Sequence, residues 1–174
     1  MKKVKLTTLL ILFTILSFSQ ENPELKVHSF GAGFGFFTSD YDINGICTFL
    51  DVTVEYNKNL LSLNYLDGKQ LTLGVLGSTP VYHINEFNLQ FGRELKIVSW
   101  FSIEGFAGVG NYNLDIKSSF YPLPSASAVS IPVRIKLLFY TGKQKHFAMS
   151  SNNNYSINKL NSSFSSNLTF QYNF

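Results

Sequence analysis

The sequence predicts an all-β protein: an antiparallel up-and-down transmembrane β-barrel of eight strands, preceded by a cleaved signal peptide. Three observations predict it. The residues from Ser162 to Phe174 alternate strictly between two chemistries. Phe164, Ser166, Leu168, Phe170, Tyr172 and Phe174 fall on one face; Ser163, Ser165, Asn167, Thr169, Gln171 and Asn173 fall on the other, because successive side chains of a strand point to opposite sides. Similar period-2 segments recur along the chain with turn residues between them. Charged residues make up 14% of the chain, with 17 Phe and 9 Tyr, whereas soluble domains carry roughly 25% charge. A surface that poor in charge suits lipid better than water.

The length of 174 residues fits one domain. Residues 1–19 read as a signal peptide: Lys2, Lys3 and Lys5 are the positive start and residues 6–18 the apolar core. Ser17-Phe18-Ser19 then places small residues before a cleavage point at Gln20. The apolar core is too short for a spanning helix, which needs about 20 apolar residues. Residues 20–174 are the barrel domain. Of the 14 basic residues three lie in the signal, which leaves eleven against 11 acidic ones. The secreted part is near neutral and carries no basic patch for nucleic acid. Cys47 is the sole cysteine, which excludes an intrachain disulfide and a multi-cysteine metal site. No cofactor is expected.

The elements follow in order. Residues 26–37 place Phe30, Ala32, Phe34 and Phe36 opposite Ser29, Gly31, Gly33 and Gly35, and residues 38–45 form a polar loop. Residues 46–56 place Ile46, Thr48, Leu50, Val52 and Val54 opposite Cys47, Phe49, Asp51, Thr53 and Glu55, before the turn signal Asn57-Lys58-Asn59. Residues 60–66 and 70–76 read as two short strands joined by Asp67-Gly68, a hairpin dipeptide. Residues 81–91 set Phe87, Leu89 and Phe91 against Glu86, Asn88 and Gln90. A loop over residues 92–96 leads to residues 97–112, with Phe101, Ile103, Ala107 and Val109 against Ser102, Glu104, Gly108 and Gly110. After Pro122 and Pro124, residues 129–140 run Val129, Ile131, Val133, Ile135, Leu137 and Phe139 along one face, opposite Arg134 and Lys136.

That leaves residues 146–161, a ninth strand or a long polar loop around Ser150 to Asn154. A barrel with both termini on one side needs an even strand count, so this segment is read as a loop and the count as eight. Residues 113–126 then fall on the side of the termini. Ten strands is the alternative.

Alternation alone fits both a membrane barrel and a soluble lipocalin-like ligand-binding barrel, which are mirror images in polarity. The polar set is mostly Ser, Asn, Thr, Gln and Gly, which suits a tight interior better than a solvated exterior. Aromatic residues gather near strand ends (Phe36, Phe37, Tyr56, Phe139, Tyr140, Tyr172, Phe174), as an interfacial girdle would. With the signal peptide and the final strand, these features make the chain resemble the small outer-membrane β-barrel proteins of the OmpA/OmpX-like family. The segment Leu168-Thr169-Phe170-Gln171-Tyr172-Asn173-Phe174 looks like the C-terminal signal read by the barrel-assembly machinery of that family, with Phe170, Tyr172 and Phe174 as its key residues. The resemblance implies a monomer in the outer membrane of a Gram-negative-type bacterium. It also implies contact with outer-membrane lipid, and an extracellular or envelope partner at exposed loops.

With the polar set inside, Asp51, Glu55, Glu86 and Glu104 share the lumen with Arg134 and Lys136. Buried charges need partners, so these six are expected to form a packing network that plugs an eight-stranded interior. Four acids against two bases leaves an excess, to be met by a protonated carboxyl or one at the rim. The glycine-rich runs at 31–35 and 105–110 lack the spacing and the strand-to-helix context of a phosphate loop; inward glycines relieve crowding. His28, His83 and His146 have no metal spacing. A lipid-modifying enzyme would need His with Ser and a carboxylate, for which His83 and Glu86 are the least unfavourable pair. No catalytic, cofactor or metal residues are assigned. The expected role is structural or adhesive, acting through exposed loops.

Overall fold

The computed structural model describes residues 25–40, 43–71, 81–117, 125–142 and 144–174. The expected signal peptide lies outside them. Eight strands form one closed antiparallel barrel in chain order. They are β1 (Lys26–Ser39), β2 (Gly45–Tyr56), β3 (Asn59–Gln70), β4 (Val81–Val98), β5 (Phe101–Lys117), β6 (Ala126–Thr141), β7 (Phe147–Asn158) and β8 (Ser163–Asn173). Each neighbour pair is a hairpin, and β1 closes the ring on β8 in a continuous register from Ser29↔Asn173 to Ser39↔Ser163. Closure removes the sheet edges that would otherwise expose unpaired backbone groups.

The count of eight holds, but the strands are not those expected. Residues 60–66 and 70–76 do not form a hairpin: β3 runs unbroken through Asp67-Gly68, paired to both neighbours. Gly68 serves packing. A Cβ there would stand 2.8 Å from Cε1 of Phe37, and one on Gly45 would stand 2.4 Å from the same atom. The two glycines make room for an inward phenyl ring. Residues 72–76 lie outside the described residues. Residues 146–161, read as a loop, contain β7, and their asparagines and serines alternate in and out as barrel residues do. Residues 92–96 are also strand, inside the 18-residue β4, and the chain turns at Ser99-Trp100. These changes move residues 113–117 and 125–126, the described part of the 113–126 segment, to the end away from the termini.

The tight turn at Asn57-Lys58 is as the dipeptide suggests: both residues have positive φ (50° and 62°), the pattern of a two-residue hairpin turn whose twist matches the strands.

The polarity is inside-out. Phe34, Phe36, Ile131 and Leu168 stand exposed on the outer wall, while Asp51, Glu86, Glu104, Arg134 and Lys136 are 0–1% exposed within. Towards the end away from the termini the inner wall is apolar, and Phe37, Ile43, Cys47, Phe49, Leu66, Ile84 and Tyr112 form one buried cluster there. A soluble barrel would show the opposite order.

Candidate functional site

The lumen holds a linked set of charges contributed by four strands, β1, β2, β5 and β6. Arg134 and Lys136 are neighbours on the inner face of β6, and Asp51 reaches them from β2 across the barrel. Arg134 Nη1 donates to Asp51 Oδ1 at 3.1 Å and Lys136 Nζ to Oδ2 at 3.0 Å. Ser62 on β3 donates to Asp51 Oδ1 at 2.5 Å and accepts from Arg134 Nη2 at 2.8 Å. The guanidinium lies 4.2 Å from the centroid of the Phe106 ring and 5.6 Å from that of Phe49, so its faces are covered by aromatic π-density. Lys136 also lies 3.3 Å from Glu104 on β5.

His28 extends this chain towards the terminal end. Its Nε2 is 3.2 Å from Glu104 Oε1 and its Nδ1 is 3.5 Å from Glu55 Oε2. Strict alternation places His28 on the outer face with Phe30. The register slips between Val27 and Ser29, and a bulge of this kind re-aims a side chain. Here it brings the imidazole into the lumen mouth. A bulge has no dependable signature in a single sequence, so sequence reasoning treated His28 as isolated.

Of the six network residues, the structure brings Asp51, Glu104, Arg134 and Lys136 together. Glu55 sits at the mouth with its side chain 39% exposed. Glu86 stands apart, towards the other end: its carboxylate accepts from Ser130 at 2.9 Å and from Ser156. Among the described residues no ion pair engages it. The excess of acid over base therefore resolves by position: one acid at the rim, one held by hydroxyls, one shared with a histidine.

Next to the mouth lies a cavity of about 260 Å³, lined by His28, Glu55, Glu94, Tyr140 and His146 among others. Tyr140 donates to Glu94 at 2.8 Å there. At the opposite end β4, β5 and β6, of 18, 17 and 16 residues, make a wall taller than β7 and β8, of 12 and 11. The upper outer face of this wall is polar. His83 Nε2 lies 2.9 Å from Asp67 Oδ1, and Tyr65 donates to Asn85 at 2.7 Å. A shallow cleft of about 450 Å³ lies between Tyr65, Asn85, Asn113, Asp115, Ser125 and Ser127. His83 and Glu86 lie on opposite faces of β4, one outside with Asp67 and one inside with the serines. They cannot act on one substrate.

Phe170, Tyr172 and Phe174 all point outward from the last strand, at 59%, 39% and 71% exposure. Tyr172 is edge-on to Phe174 (centroids 5.0 Å) and to Phe147 (5.3 Å), and forms an aromatic cluster at the terminal end.

No protein-family model and no curated protein matches the sequence. Solved structures do match the fold. Neisserial surface protein A aligns with a TM-score of 0.68 at 10% identity, over 88% of this chain and 100% of that one. The fold is that of a small outer-membrane β-barrel. The N-terminal β-barrel domain of Pseudomonas aeruginosa OprF aligns at 0.60 and 12% identity, over 87% and 100%. Ail, the attachment invasion locus protein of Yersinia pestis, aligns at 0.59 and 16% identity, over 86% and 99%.

Proposed function

We propose that this protein is an outer-membrane barrel plugged by its own side chains, with a structural or adhesive role, working at its outer rim and without catalysis. The observation that carries the reading is the inside-out polarity: an apolar outer wall around a lumen whose ionic side chains are 0–1% exposed. Only a hydrocarbon solvent favours the first, and only a closed interior permits the second. Both termini face the periplasm in this reading, and the polar upper wall with its loops faces outward. Three structural neighbours support it, one of them an attachment protein and one a surface protein. Strands of 11 to 18 residues meet the roughly 9–11 residues needed to span a bilayer.

Two experiments test it. The protein is expected in the outer-membrane fraction with heat-modifiable migration in detergent; recovery as a soluble periplasmic protein would refute the location. In planar bilayers the purified barrel is expected to give no steady open-pore current. Sustained conductance would refute the plug.

The aromatic end of β8 is the proposed contact with the barrel-assembly machinery. Removing Phe174 is expected to lower the folded outer-membrane fraction severalfold, while the same variant refolded into detergent micelles retains heat-modifiable migration. Equal loss in both settings would assign Phe174 to barrel stability instead.

A further inference from the structure

The outer wall has one polar interruption within its apolar belt on β7 and β8. Asn153, Ser151 and Ser166 point outward there: Ser166 donates to Asn153 Oδ1 at 2.9 Å, and Asn153 Nδ2 donates to Ser151 at 3.2 Å. Asn153 pairs in register with Ile135 on one side and Ser166 on the other. Tyr155 and Phe164 flank the group towards the outer end, Met149 and Leu168 towards the terminal end, and all four are exposed. The group is therefore not at a membrane boundary. A hydrocarbon neighbour offers it nothing, because lipid tails cannot hydrogen-bond.

The internal bonds do not exhaust it. Asn153 has two amide protons and two carbonyl lone pairs, and one of each is used. The Ser151 hydroxyl accepts from Asn153, and its own proton has no acceptor among the described bonds. What remains on the outer surface is a donor and an acceptor on the same amide, with a hydroxyl beside them. That set is self-complementary. Two copies related by a two-fold axis along the bilayer normal can each offer an N–H to the other's carbonyl, the isologous arrangement that closed dimers use. Polar groups in membrane segments act as such glue between packed elements, and a buried Asn pair specifies partner number in coiled coils by the same chemistry.

We propose that the outer face of β7 and β8 is a homodimer interface in the membrane, centred on Asn153 with Ser151 and Ser166. The surrounding apolar side chains, Ile135, Leu168, Phe164 and Tyr155, seal the polar centre from lipid. The inference rests on the reading that this wall faces lipid, and it replaces the expectation of a monomer.

The test uses the secreted chain carrying Cys47→Ser, folded into phosphatidylcholine vesicles. Heat-modifiable migration is measured first, so failure to insert is separated from failure to pair. With a dye on Lys58→Cys at the terminal-end turn, energy transfer between differently labelled copies is expected to report dimers. Asn153→Leu is expected to raise the dissociation constant in the bilayer at least tenfold, and Ile131→Leu, elsewhere on the belt, to leave it unchanged. In a separate protein, Ser151→Cys with Cys47→Ser is expected to form a crosslinked dimer on oxidation, while Val129→Cys with Cys47→Ser is not. Monomers at every protein-to-lipid ratio, or equal association of the Asn153→Leu barrel, would overturn the proposal. If that variant does not fold, the cysteine pair decides: no selective crosslink at Ser151 overturns it.

Discussion

Asp51→Ala is expected to destabilise the folded barrel by about 5 kcal/mol. The carboxylate bonds Arg134, Lys136 and Ser62 at 3.1, 3.0 and 2.5 Å, and both cations are 0–1% exposed. Removing one partner of a buried pair costs about 3–5 kcal/mol, since the other charge is left without compensation. Here two charges lose a partner at once, which places the loss at the upper end of that range against a total stability of about 5–15 kcal/mol. Lys136 keeps Glu104 at 3.3 Å, whereas Arg134 keeps only Ser62 and its aromatic neighbours. Replacing the pair together, Asp51→Leu with Arg134→Met, is therefore expected to recover a large part of the loss, because apolar substitutes remove the desolvation cost. Urea unfolding in lipid vesicles, read by heat-modifiable migration, measures both. An unchanged midpoint for Asp51→Ala would show that the lumen does not depend on this carboxylate.

The second large effect is expected at the seam where the ring closes. A Cβ on Gly35 would stand 2.0 Å from the Ser166 carbonyl oxygen and 2.6 Å from the Asn167 Cα; one on Gly33 would stand 2.1 Å from the Leu168 carbonyl oxygen. These obstacles are backbone atoms of β8, which cannot rotate away as a side-chain tip can. Gly35→Ala must push β1 from β8, at the pairing that joins the two ends of the chain. Overpacking typically costs about 1–3 kcal/mol, and a backbone obstacle at the closing pair sets the expected loss at about 3 kcal/mol. Gly105→Ala is the matched control: a Cβ there meets nothing within 4 Å, so its unfolding midpoint should stay within about 0.5 kcal/mol of the wild type. Equal midpoints for Gly35→Ala and Gly105→Ala would refute the close-approach account.

Particular residues show how much was legible beforehand. Period 2 is local, so the side on which Phe34, Asp51, Glu86 or Arg134 faces could be read from its neighbours along the strand. The ends of strands were less legible. Asp67-Gly68 has the composition of a turn, but the demand for glycine comes from the Phe37 ring, about thirty residues earlier in sequence. Asn152 and Asn154 have the composition of a loop, yet they are buried lumen residues of β7, with Asn152 bonded to Thr169. In an ordinary soluble fold a run of Ser and Asn marks a turn; inside a barrel the same residues are the core. His28 was missed for a third reason, since a bulge shifts parity at one residue only.

By itself the sequence determined the class of fold, the parity of most strands and the identity of the lumen's charges, because all three follow from side-chain chemistry at spacing two. Only the tertiary structure decided which charges meet. Asp51 and Arg134 are 83 residues apart, and their contact depends on the register around the closed ring. It also decided that His28 joins Glu104 and that Glu86 stands alone with serines. The outward trio on β7 and β8 was likewise invisible until Asn153 and Ser166 were paired across strands. Alternation sorts side chains into two faces; register, a property of the whole ring, decides which of them are neighbours.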